Sequence, residues 1–73
     1  MATAVFLTRA AETEAQVTYR YGPQQDDQPE TLSILKETGE TTGTTDRAGW
    51  VGGWIRRQHE RTGRWIERGT IAT

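Results

Sequence analysis

Residues 44–63 read TTDRAGWVGGWIRRQHERTG, and the conformation of this run decides what the rest of the chain can form. Trp50, Val51, Trp54, Ile55 and Gln58 recur at the i, i+3, i+4 spacing of one helical face, with Arg56, Arg57, Glu60 and Arg61 on the other. Thr44 or Thr45 supplies a capping hydroxyl, Asp46 suits the positive end of a helix dipole, and Gly63 suits the left-handed position just past the last turn. Gly49, Gly52 and Gly53 oppose this reading, since each costs roughly 1 kcal/mol relative to alanine inside a helix. Two starts are compatible with them. Either the glycines let the helix backbone approach a sheet, or the helix begins near Gly53 and residues 50–52 are extended. The early start is favoured because it alone puts Trp50 and Trp54 on one face, and it predicts a helix over about 46–61.

Upstream of this run the period changes from 3.6 to two. Residues 3–9 place Val5 and Leu7 on one face and Ala4, Phe6 and Thr8 on the other, which predicts a central strand with apolar groups on both sides. The charged AETEA stretch then breaks the pattern. Residues 16–21 alternate Val17, Tyr19 and Tyr21 against Gln16, Thr18 and Arg20, a strand with one buried and one wet face that ends at Gly22-Pro23. Gln24 to Pro29 reads as a polar loop, and residues 31–36 as a third strand with Leu32 and Ile34 inward. Gly39 allows a tight turn, after which Glu40 to Thr42 forms a fourth strand or the TTGTT run is a flexible crossover. Downstream, residues 64–73 are an irregular or short-strand tail, with Trp65 and Ile66 returning to the core.

The expected fold is therefore α+β: a three-stranded, or with residues 40–42 four-stranded, antiparallel meander packed against one C-terminal α-helix. Its expected core is Val5, Leu7, Val17, Tyr19, Leu32, Ile34, Trp50, Val51, Trp54 and Ile55. Phe6 and Leu35 lie on the reverse face.

Composition bounds what this fold can be. Seventy-three residues, 33% of them hydrophobic, suffice for one small domain with a thin core, and no cysteine supplements it with a disulfide or thiolate site. Charge is uneven. Residues 1–44 carry Arg9, Arg20 and Lys36 against seven carboxylates, a net of −4, while residues 45–73 carry six arginines against Asp46, Glu60 and Glu67, a net of +3. The two halves are expected to attract one another, within a fold or between copies. The apolar run Ala4–Leu7 is too short for a signal core or a membrane span, so the expected location is cytoplasmic, with no membrane partner.

With VTYRYGP before a polar loop and WIRRQHERTGRWIERGTIAT at the end, the chain resembles short uncharacterised proteins of high-GC actinobacteria. Eight arginines against one lysine agree with a GC-rich genome. The resemblance implies no activity and assigns no functional residue.

The residues themselves argue against catalysis. A nucleophilic triad would need the lone serine, Ser33, mid-strand, beside the lone histidine, His59. One imidazole without a thiolate is a poor transition-metal set, so His59 reads as a surface or rim histidine. Asp26-Asp27 reads as a solvated turn, and no phosphate-binding glycine motif occurs. No cofactor, metal or small-molecule ligand is expected. The expected role is a non-enzymatic interaction or structural domain that contacts a protein partner or a second copy through Arg57, Arg61, Arg64, Trp65 and Arg68, with Trp65, Phe6 and Leu35 forming an apolar patch. The alternative is a nucleic-acid-binding module using the arginine face of the helix, against which stands the acidic first half.

Overall fold

The computed structural model describes residues 4–72. Five strands and one helix follow in the order β1 (Ala4–Glu12), β2 (Gln16–Gly22), β3 (Glu30–Leu35), β4 (Thr41–Gly43), α1 (Arg47–Thr62) and β5 (Arg68–Ala72). The strands form one antiparallel sheet in the order β4-β3-β2-β1-β5. The first four are a meander, and the helix carries the chain across the sheet so that β5 pairs with β1 on the far side. The antiparallel α+β plan agrees with the sequence; the sheet has five strands where three or four were expected, the tail supplying β5, and β1 is more central for it.

Alternation places Val5 and Leu7, Val17, Tyr19 and Tyr21, Leu32 and Ile34, and Ile71 on one sheet face, where they meet Ala48, Val51 and Ile55 of the helix. Every core residue expected from the strands is buried. The helical part of the expected core is corrected. Trp50 is 45% exposed, Trp54 only half-buried, and the stripe that meets the sheet is Ala48, Val51, Gly52 and Ile55. This stripe keeps the i, i+3, i+4, i+7 spacing, but its small members do the approaching. A Cβ on Gly52 would stand 2.6 Å from the Thr41 side chain, and Ala48 lies directly on Gly43. The backbone so drawn down lies over β3 and β4. No room is left beneath it for an indole. Trp54 instead reaches sideways to end on Gly69 of β5, where a Cβ would be 3.1 Å from its ring, and so roofs the side of the sheet the helix leaves open.

The helix begins at Arg47, as the early start predicts, and ends one residue later than expected, at Thr62. Gly63 takes the left-handed conformation at φ 76° and donates its N–H to the His59 carbonyl. The start is capped otherwise than expected. Asp46 makes no side-chain cap bond, and the Thr45 hydroxyl is bonded to Tyr21 at 3.0 Å. The TTGTT run is no flexible crossover, because Thr41–Gly43 pairs with Leu32 to Ile34 as β4, after a turn in which Gly39 has φ 78°.

Strand β1 continues to Glu12, past the expected stop at Arg9. A bulge at Ala10 shifts the register between Arg9 and Ala11, which brings Arg9 and Glu12 to the same face. They pair there at 3.2 Å, and Lys36 reaches Glu12 at 2.7 Å. The hydrogen bond from Lys36 holds the Glu12 carboxyl below its ordinary value against a smaller desolvation effect. A lowered carboxyl stabilises the fold above its unfolded pKa and ceases to as pH falls; at this exposed site the contribution is small.

The segment between helix and β5 is fixed by its carbonyls. Arg9 donates its Nη1 to Trp65 O at 3.0 Å and its main-chain N–H to Glu67 O at 2.7 Å, while the Tyr19 hydroxyl donates to Ile66 O at 2.7 Å. Tyr19 is wholly buried, and burial pushes its phenol up to about 12. Tyr19→Phe is expected to cost about 1–2 kcal/mol in denaturant unfolding, because the Ile66 carbonyl loses its partner. The folded protein binds this proton more tightly than the unfolded chain. Stability from Tyr19 is therefore full below pH 10 and declines as pH rises from 10 towards 12, and that alkaline loss should be smaller in Tyr19→Phe.

Candidate functional site

The tight seating of the helix fixes what it turns outward. At 100° per residue Trp50 stands about 200° round from Ala48, and Trp50, Trp54, Arg57 and Arg61 follow one another along a flank. Trp50, Arg57 and Arg61 are exposed. Gly49 and Gly53 beside them have nothing within 4 Å of where a Cβ would stand, so no other side chain screens Trp50 from that side. Trp50 is the most exposed large hydrophobic side chain among the described residues.

The five residues singled out from the sequence do not form one site. Arg57 and Arg61 belong to the helix flank. Arg64 and Trp65 line an open groove of about 740 Å³ with Arg9, Thr62, Ile66, Glu67 and Arg68, at the point where the chain leaves the helix. Arg68 pairs in register with Thr8, whose side chain lies on the sheet face away from the helix. Trp65 is half-buried and its ring stacks on His59, centroids 4.0 Å apart and planes 15° from parallel. His59 is thus a rim residue whose ring props the indole.

The apolar patch of Trp65, Phe6 and Leu35 does not exist as expected. Phe6 pairs with Gly22 through β1, whereas Leu35 pairs with Gln16, at opposite ends of β2, and Trp65 lies on the helix side. Within the chain, the attraction between charge halves is not realised as ion pairs. Among the described residues the ion pairs join Glu12 to Arg9 and Lys36, all in the first half, and the arginines from Arg47 onward make none. Sequence reasoning missed Trp50 as a surface residue, although the small-residue stripe Ala48, Gly52 was visible at the same spacing as the tryptophans.

No protein-family model matches this chain, nor does any curated protein or solved structure, so no relative bears on the resemblance noted above or assigns a role to these residues. No helix among the described residues is long and apolar enough to cross a membrane.

Proposed function

We propose that this chain is a protein-contact domain whose helix flank, Trp50 with Arg57 and Arg61, docks an acidic segment of a partner that also offers an apolar side chain. The observation that carries it is Trp50, 45% exposed on a helix whose buried stripe is complete without it. Tryptophan and arginine are the residues favoured at the energetic centres of protein contacts. Among the described residues neither arginine forms an ion pair with a carboxylate, which suits an acidic partner.

Fluorescence anisotropy of a labelled peptide of glutamates and leucines tests this at low salt, beside a labelled single-stranded oligothymidylate. The peptide should bind with a dissociation constant below about 1 mM, weaken with salt, and lose about tenfold or more in Trp50→Ala and in Arg57→Glu/Arg61→Glu. Binding of the oligothymidylate alone, lost in the same variants, would replace this reading with nucleic-acid recognition. Binding of neither would end it.

A further inference from the structure

The two edges of the sheet are unlike. Strand β4 has three residues and lies beneath the helix, with Gly52 against Thr41 and Ala48 against Gly43. Strand β5 has five residues, Arg68 to Ala72, pairs with β1 without a bulge, and contains no proline, no lysine and no charge turned to the core side. Among the described residues its one blunting device is the charge of Arg68 at one end, and the four residues from Gly69 to Ala72 carry none.

The phase of its free amides follows from a single bond. Arg9 N–H donates to Glu67 O, which makes Arg9 and Glu67 a hydrogen-bonded pair of the β1·β5 ladder. Hydrogen-bonded and non-bonded pairs alternate along an antiparallel ladder, so Gly69 and Ile71 are also bonded to β1. The N–H and C=O groups of Arg68, Thr70 and Ala72 therefore point away from the sheet.

The geometry points to a second copy of this chain as the occupant of that edge, joined β5 to β5 antiparallel about a two-fold axis at Thr70. This register uses all five residues: Thr70 bonds its own equivalent, and Arg68 bonds Ala72 of the other copy, about six main-chain bonds in all. A shift of the axis by one residue shortens the ribbon, and an axis at Arg68 sets two guanidiniums face to face. With the axis at Thr70 the arginines stand at opposite ends. On the core side each Ile71 lies beside the other copy's Gly69, the position roofed by Trp54, so an aliphatic side chain meets the rim of a half-buried indole. The chain's net charge of −1 adds little repulsion between copies. The surface is separate from the exposed flank of Trp50, Arg57 and Arg61, and each stands or falls alone.

Sedimentation velocity across a concentration series should show a species of twice the chain mass growing in as concentration approaches about 1 mM. Thr70→Pro removes an N–H that points outward and leaves the β1·β5 bonds in place, so it should raise the midpoint of dimerisation at least tenfold while peptide binding at Trp50 persists. The chain has no cysteine, so a single introduced thiol reports the register. Thr70→Cys should cross-link under mild oxidation. Ala72→Cys should not, because its two copies would stand about 13 Å apart along the ribbon, beyond the reach of a disulfide. A monomer at every concentration overturns the inference, and so does a dimer that Thr70→Cys fails to link, or one that Trp50→Ala rather than Thr70→Pro dissociates.

Discussion

Ile55→Ala will unfold this protein at markedly lower denaturant, with an expected loss of about 3 kcal/mol, whereas Trp50→Ala will change its stability by less than about 0.5 kcal/mol. Side-chain size alone ranks the two substitutions the other way. Ile55 is wholly buried in the core cluster, and it sits on a helix held close to the sheet by Gly52 and Ala48. Helix and sheet cannot collapse further into the space an alanine would leave, because Gly52 already touches Thr41 and Ala48 touches Gly43. The cavity persists, and cavity volume adds to the lost transfer energy. A domain of this length is stable by roughly 4–11 kcal/mol, so 3 kcal/mol is a large share of the whole. Urea unfolding of both variants, followed by far-ultraviolet circular dichroism, decides the matter. A Trp50→Ala loss comparable to that of Ile55→Ala would mean that the indole closes the core after all.

The same pair of residues shows how far the sequence could be read. Strands β1, β2 and β3 were legible because period two in Val5/Leu7, Val17/Tyr19/Tyr21 and Leu32/Ile34 has one interpretation, a sheet with one dry face. The helix was legible from its C-terminal end at Gly63 and from its apolar spacing, not from its N-cap. Its facing was legible only in part: Val51 and Ile55 turn inward as expected, and Trp50 does not. Pattern reasoning weights large apolar side chains, and here the contact is made by residues chosen for being small, whose signal is the absence of bulk. Strand β5 was legible only as one of two readings of the tail, for a related reason. Of its core-side positions, Gly69 carries no side chain and is filled from another element by Trp54, which leaves Ile71 as a pattern of one. The extension of β1 past Arg9 was hidden by the bulge at Ala10, since an extra residue inverts the alternation that would have announced it. The proposed contact flank was legible in part for the same cause: Arg57 and Arg61 were placed outward, and Trp50, their neighbour on that flank, was assigned to the core.

Gly22→Ala is expected to destabilise the fold by about 3 kcal/mol or more, while Gly49→Ala, in the same chain, is expected to stabilise it by up to about 1 kcal/mol. Nothing in composition separates these glycines. Gly22 ends β2 opposite Phe6, where the β2–β3 connection curls back on itself through Asp27 N–H to Gln24 O at 3.1 Å and the Gln28 side chain to Gln25 O at 2.9 Å. A Cβ at Gly22 would collide with the Asp27 carbonyl and stand 2.7 Å from both Gln28 Cα and Pro29 Cδ. Two of these are main-chain atoms and the third belongs to a rigid ring, so no rotamer change relieves the overlap. The run Gln24 to Pro29, polar enough to pass for a solvated loop, is thus seated against the sheet end, and its seat requires the missing side chain. Gly49 faces open space on the exposed side of the helix, where an added methyl meets nothing and the backbone loses the entropy penalty of glycine. Thermal unfolding of the two variants should therefore move in opposite directions. If Gly22→Ala left the midpoint unchanged, the seating of the connection on Gly22 would be wrong; if Gly49→Ala lowered it, the helix would have a neighbour on that side.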